Sequence, residues 1–308
     1  MQVLLTGASG AIGAALAPRL AAAGHRVRAY ARDPARVTTR GVGEVVRGDA
    51  LTGSGLDEAL AGVDIAYYLI HSMEAGGPDA GTFADRERSA ADRFARAAQA
   101  AGVRRVVYLG GLVPATARPS RHLASRLAVE QVLLAAAPEA VALRASIVVG
   151  ATSRSFRFLV RLVERVPIMP LPAWREHRTQ PIDVRDVLAH LLAAGTSDVV
   201  TGPLSLDIIG PDVVTYAELV DCIRDALLVH RPALRLPFSL TPVASVVAAA
   251  IAGEDLALIG PLMEGLEEDL LPRDNRAREL FGVRLHRLDA AIEHALKVWE
   301  TSEELRAR

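Results

Sequence analysis

The sequence predicts an α/β protein built on a doubly wound parallel sheet, and three observations carry that expectation. Short, nearly continuous apolar runs recur along the first half of the chain, alanine-rich amphipathic stretches separate them, and a glycine-rich turn directly follows the first run. Strands that read apolar on both faces and alternate with helices belong to a parallel sheet covered on both sides. The runs are QVLL (2–5), RVRAYA (26–31), GEVVRG (43–48), DIAYYLI (64–70), RRVVYLG (104–110) and AVALRASIVVG (140–150). Helical stretches such as AIGAALAPRLAAAG and FADRERSAADRFARAAQAAG lie between them.

Beyond Gly150 the rhythm changes. PIMPLPAW (167–174) is a proline-rich loop, TQPIDVRDVLAHLL (179–192) reads as a short strand running into a helix, and GPLSLDII (202–209) reads as another strand. The remainder is mostly helical, including RDNRARELFG and LDAAIEHALKVW, with Gly282 placed as a helix stop. The expected organisation is a sheet domain over residues 1–150 and a smaller substrate-side region over 151–308, interleaved with it so that 179–199 returns to the first domain. The uncharged run 236–253 is interrupted by Pro237 and Pro242 and carries a one-sided stripe of Val243, Val246, Val247, Ala250 and Ile251. It is expected as a helix packed on the second region, not a membrane span. Arg154, Arg157, Arg161 and Arg165 share a helix face. A solvated stripe is expected there, with anion binding as the alternative.

Composition excludes several classes of function. A net charge of −1 over 308 residues gives no general pull toward nucleic acid or anionic membrane. The single cysteine, Cys222, excludes a disulfide framework and reads as a small apolar residue on a helix face. The start MQVLLTGASGAIG passes from an apolar run into a glycine turn with no basic segment and no cleavage site, so a cytoplasmic protein is expected. The histidines, His177 and His190 among them, show no paired ligand spacing, and no metal is expected. Of 35 basic residues only Lys297 is a lysine, so an arginine in a lysine's place carries little information by itself.

The sharpest motif is TGASGAIG, residues 6–13, between the first strand and the first helix. Its glycines, Gly7, Gly10 and Gly13, have the spacing and context of a Rossmann-type phosphate turn. In such a turn one glycine permits the tight bend, another lets the backbone approach a pyrophosphate closely, and another lets the helix pack closely on the strand. Thr6, Gly7, Ser9, Gly10, Ala11, Ile12 and Gly13 are therefore candidate dinucleotide-binding residues, with the phosphates held by the free N–H groups and positive end of the helix. At the end of the second strand YARDPAR offers Arg32 where an NAD-binding fold usually carries an acid. An arginine there suits a 2′-phosphate and favours NADP(H) over NAD(H), whereas a shift of one residue would put Asp33 at the ribose. GDA (48–50) closes the third strand, with Asp49 and Ala50 beside the adenine, or Asp49 as a turn aspartate. His71 and Ser72 follow the fourth strand and are expected beside the nicotinamide half, with helix or turn capping as the alternative.

PSRHLASRLAVEQVL (119–133) reads as the start of a helix and sets His122 and Arg126 one turn apart on one face. Together with TGASGAIG, YARDPARV, YYLIHSM, RVVYLGGL, LRASIVVG, TQPIDVRDV, IGPDVVTYAEL, GPLMEGL and NRARELFGV, this segment resembles the atypical short-chain dehydrogenase/reductase group of NAD(P)H-binding proteins, related to NmrA-like and complex-I-associated members. The resemblance implies a fold and a dinucleotide more firmly than a reaction. Typical short-chain reductases end the fifth strand in a serine that binds the substrate carbonyl and carry Tyr-x-x-x-Lys on the next helix. Here Gly110 and Gly111 stand at the serine position, and His122 and Arg126 stand at the Tyr/Lys spacing. An arginine can donate to the nicotinamide ribose hydroxyls as the lysine does, and a histidine can donate a proton. His122 and Arg126 are the candidate catalytic residues, with a packing or surface role as the alternative for His122. The expected function is NADPH-dependent reduction of a small, largely apolar carbonyl or conjugated alkene. The alternative is a non-catalytic dinucleotide binder that reports redox state to a partner.

Overall fold

A computed structural model describes residues 1–70, 83–113, 121–229, 232–235, 266 and 268–305. Seven parallel strands form the main sheet: β1 (Gln2–Thr6), β2 (Arg26–Ala31), β3 (Val42–Arg47), β4 (Ile65–Tyr68), β5 (Arg105–Gly111), β6 (Val141–Ala145) and β7 (Leu204–Ile208). Their spatial order is β3-β2-β1-β4-β5-β6-β7, so the direction of winding reverses between β1 and β4. Helices α1 (Ala11–Ala22), α2 (Leu56–Leu60), α3 (Phe83–Ala100) and α4 (Arg121–Leu134) fall between the strands of the first half. This is the doubly wound, Rossmann-type sheet that the apolar runs predict.

Burial on both faces explains why the strands read as nearly continuous apolar runs. Val3, Leu5, Ile65, Tyr67, Val107, Val141 and Leu143 pack with Leu16, Leu20, Leu188 and Leu191 on one face. Leu4, Ala66, Tyr68, Val106, Tyr108 and Ala142 pack with Leu60, Phe94, Val129 and Leu133 on the other. Successive residues thus alternate between two cores, as a strand's period of two requires.

The chain beyond residue 150 contributes to this sheet as well as to a core of its own. Helix α6 (Val184–Thr196) lies beside α1. The stretch read as a strand over 202–209 gives β7, paired with β6 from Leu204↔Val141 to Ile208↔Ala145. The third core joins α5 (Arg154–Arg165), α7 (Tyr216–Ala226) and α9 (Leu288–Glu300), whereas α8 (Arg276–Phe281) packs on the sheet core through Ala277, Leu280 and Phe281. It contains Phe156, Val160, Leu219, Ile223, Leu296 and Trp299, and the half-buried Cys222 packs at its edge. Burial raises the Cys222 thiol above its ordinary pKa, which suits a packing residue.

The arginine stripe on α5 departs from expectation. Arg157 pairs with Glu303 and lies over the Trp299 ring at 4.1 Å, and Arg161 reaches the same carboxylate at 3.3 Å. The stripe is not simply solvated, because the residues after α9 fold back onto it. The uncharged run 236–253 lies outside the described residues. Among the described residues no helix is long and apolar enough to cross a membrane.

One buried cation ties the two halves of the chain together at the start of the strands. Arg105, on β5, is 1 % exposed and donates to the carbonyls of Ala194 (3.3 Å), Gly195 (2.8 Å), Ser197 (2.9 Å) and Val200 (3.2 Å). Its charge is matched by Glu139 at 2.6 Å. The carbonyls at a helix carboxyl end have no intrahelical partners and carry the negative end of the dipole, so a guanidinium satisfies both needs of α6. Removing it strands several buried carbonyls, while Glu139 keeps its second partner, Arg104. Arg105→Ala is expected to lower stability by about 3 kcal/mol in urea unfolding, with Arg105→Lys recovering only part, since an ammonium cannot span that set of acceptors.

Candidate functional site

Because the strands are parallel, their carboxyl ends share one edge of the sheet, and ligands of such sheets bind outside that edge where the winding reverses. The glycine turn sits there, between β1 and α1. Gly7 has a left-handed backbone (φ +70°), and a Cβ on it would lie 2.7 Å from the Leu69 carbonyl oxygen beyond β4. Gly13 is buried, and its Cβ would fall 2.2 Å from the Gly7 carbonyl oxygen, so α1 is seated directly on the turn. Both positions require glycine for the fold alone.

Gly10 differs from them. Its own N–H donates to the Gly7 carbonyl at 2.9 Å, and a Cβ would meet only that oxygen, at 3.2 Å. The protein's packing crowds this position less than Gly7 or Gly13, and Ser9, Gly10 and Ala11 are exposed. The first intrahelical bond runs from Ala14 to Gly10 at 2.9 Å, no side chain caps the helix and no acid lies in its first turn. The N–H groups of Ala11, Ile12 and Gly13 are thus at an uncapped, electropositive helix start beside a bare backbone. Such an arrangement fits a pyrophosphate, and a glycine at position 10 leaves the backbone beside it bare. Thr6 has a different place. Buried, it donates to the Tyr67 carbonyl (2.9 Å) and accepts from the Leu69 N–H (3.0 Å), binding β1 to the end of β4 beneath the turn.

The aspartates that follow β2 and β3 are both engaged in their own turns. Asp33 caps the short helical turn Pro34–Arg36 by accepting from the Ala35 N–H at 3.1 Å, while Arg32 beside it is exposed. Asp49 accepts from the Leu51 N–H at 2.9 Å, and its backbone carbonyl accepts from Gly53 at 2.8 Å. Ala50 is buried behind it. His71 and Ser72 lie outside the described residues.

At the end of β5, Gly110 and Gly111 are half-buried beneath the start of α4. A Cβ on Gly111 would be 3.1 Å from Leu123, and one on Gly110 would be 2.9 Å from the Tyr108 ring. His122 lies in the first turn of α4, and its side chain is outside the described part. Arg126, one turn later, is 6 % exposed. Its Nη1 donates to the Tyr108 hydroxyl at 3.4 Å and lies 4.0 Å from Glu87 of α3. Glu87 also accepts from the Ser125 hydroxyl at 3.0 Å. Burial pulls the Arg126 guanidinium down to about 10, which leaves it charged at neutral pH.

Sequence reading missed Glu87 and Tyr108. The signal was present for Glu87, which shares a helix face with Ala90, Ala91 and Phe94, all buried. A charge in the middle of a core stripe needs a partner. Tyr108 gave no such sign, because an aromatic in a buried strand is ordinary.

Residues 7–148 match the model of a family described as NAD(P)H-binding. The mitochondrial NADH dehydrogenase [ubiquinone] 1 alpha subcomplex subunit 9 of Arabidopsis thaliana is 29 % identical over 169 residues, 54 % of this chain and 41 % of that protein. This chain therefore spans less than half of that relative. A ceramide reductase of Caulobacter vibrioides is 29 % identical over 237 residues, 76 % of this chain and 73 % of that protein. Among solved structures, MoeE5 in complex with UDP-glucuronic acid and NAD aligns with a TM-score of 0.73 at 21 % identity, covering 98 % of this chain and 100 % of that one, a likeness of fold. Residues 7–148 are thus similar to the NAD(P)H-binding family, and they supply most of a Rossmann-type sheet.

Proposed function

We propose that the protein is an NADPH-dependent reductase of a small, largely apolar carbonyl or conjugated alkene, with residues 1–150 holding the dinucleotide and 151–308 supplying the substrate side. The observation that carries this reading is the state of Arg126. A guanidinium has five N–H donors. Among the described residues this nearly buried one finds a hydroxyl at 3.4 Å and a carboxylate at 4.0 Å. A cation removed from water needs more than that. The nicotinamide ribose hydroxyls are acceptors of the right kind for this place, one turn into the helix above the end of β5. The name of the Caulobacter relative supports reduction as the reaction class.

A bound dinucleotide would supply the hydride. The chain's own residues then divide the remaining work. The Ala11, Ile12 and Gly13 N–H groups take the pyrophosphate, and Gly10 leaves room for it. Arg32 takes the 2′-phosphate, since the Asp33 carboxylate is engaged in capping its own turn. Arg126 holds the ribose, and His122 delivers a proton to the carbonyl oxygen, or to the α-carbon of a conjugated alkene, as the neighbouring carbon accepts hydride. Most of the rate would come from positioning. The second reading, a non-catalytic binder, is favoured by one observation: β5 ends in Gly110 and Gly111, neither of which carries a hydroxyl to polarise a carbonyl.

Two measurements test these assignments. NADPH should bind at least ~10-fold more tightly than NADH, because a charge-assisted contact to phosphate is worth ~1.5–3 kcal/mol, and Arg32→Ala should remove most of the difference. Equal binding of the two would return the ribose to Asp33. NADPH oxidation with a panel of carbonyls, enones and quinones should find a substrate. With it, His122→Ala should retain NADPH affinity while turnover falls roughly 100-fold, the low end for loss of a general acid. Tight NADPH binding with no oxidation of any panel member would favour the binder.

A further inference from the structure

Gly110 stands at the site's missing hydroxyl, and the structure gives a reason for the glycine. A Cβ there would come within 2.9 Å of the Tyr108 Cε1 and 3.4 Å of the Tyr108 hydroxyl oxygen. Tyr108 is two residues earlier on the same strand, so both face the same side of the sheet. Its ring is 1 % exposed and is held in the core with Tyr68 at a centroid distance of 6.3 Å. A buried ring cannot swing aside as an exposed side chain could. The phenol therefore fills the space that a side chain at position 110 would need, and its hydroxyl is the one placed at this end of β5.

Among the described residues that hydroxyl is engaged with one, Arg126. It accepts from Arg126 Nη1 at 3.4 Å and donates to the Arg126 backbone carbonyl at 3.4 Å, so it fixes both the head and the backbone of the same arginine. From the other side Glu87 stands 4.0 Å from Nη1 and is tied to α4 through the Ser125 hydroxyl at 3.0 Å. We propose that Glu87 and Tyr108 are the positioning residues of the dinucleotide site: between them they hold one edge of the Arg126 guanidinium, so that its other N–H donors remain available to the cofactor's ribose. The proposal rests on Arg126 being a cofactor contact. It adds the device by which a chain lacking the serine and the tyrosine still presents a fixed donor at that point. Glu87 supplies the opposing charge that a buried guanidinium requires, and Tyr108 supplies direction.

The test is a double-mutant cycle on cofactor affinity, measured by calorimetry with NADPH and NADH in parallel on the full chain. Glu87→Gln keeps the shape and the acceptor for Ser125 but removes the charge, and Tyr108→Phe keeps the ring but removes the hydroxyl. Each is expected to weaken binding about 3- to 10-fold, as is Arg126→Ala, and neither should weaken it further in the Arg126→Ala background. Residues acting on the fold alone would lower the melting temperature and leave affinity, or its independence of Arg126, untouched. If Arg126→Ala weakens binding while Glu87→Gln and Tyr108→Phe bind as the parent does, the positioning role is wrong and the cofactor contact stands. If Arg126→Ala itself binds normally, both fall. Should Glu87→Gln not fold, the Tyr108→Phe arm of the cycle decides alone.

Discussion

The contact between Gly13 and the Gly7 carbonyl oxygen is the constraint on which the site depends. A Cβ at position 13 would lie 2.2 Å from that oxygen, so only a glycine lets α1 descend onto the end of β1. That descent brings the uncapped N–H groups of the helix to the switch point of the sheet, where no acidic side chain of the first turn competes for them. Thr6 secures the level below by joining β1 to β4. The exposed helix start is therefore a consequence of backbone packing, and Gly10 is the least crowded of the three glycines.

The chain's buried arginines show how unusual the head of α4 is. Arg105 is satisfied by four carbonyls and a carboxylate. Arg144 makes two bonds to Glu130, at 2.8 and 2.6 Å, with Asp207 a further 3.7 Å contact. Both meet the requirement that a charge taken from water be fully partnered. Arg126 is buried like these, yet among the described residues its contacts are longer and fewer, and it stands at the carboxyl edge above β5. The contrast separates Arg126 from arginines that are more fully partnered within the chain.

How much was legible in the sequence depended on range. The sheet and the glycine turn were readable because their signals are local: strands apolar on both faces, and three glycines at fixed spacing between a strand and a helix. The 202–209 stretch was readable as a strand, but its pairing with β6 was not, because nothing in five residues names a partner about sixty positions earlier. The same limit hid Glu303 from the arginine stripe on α5. At the site, Asp49 carried two local readings and Asp33 was read only as an alternative to Arg32 at the ribose, and the hydrogen bonds from Ala35 and Leu51 showed both carboxylates engaged in their own turns. Tyr108 was invisible because its role comes from what Gly110 lacks.

The central claim is that the glycine turn is a dinucleotide cradle and not merely a tight turn. Calorimetric titration of NADPH into the parent chain and into Gly10→Val tests it most directly, since Gly10 is the glycine of the turn whose Cβ would meet the fold least closely, at 3.2 Å from the Gly7 carbonyl oxygen against 2.7 Å at Gly7 and 2.2 Å at Gly13. The account predicts a variant that unfolds at nearly the parent's temperature and has lost NADPH binding. A folded variant with unchanged affinity would contradict it.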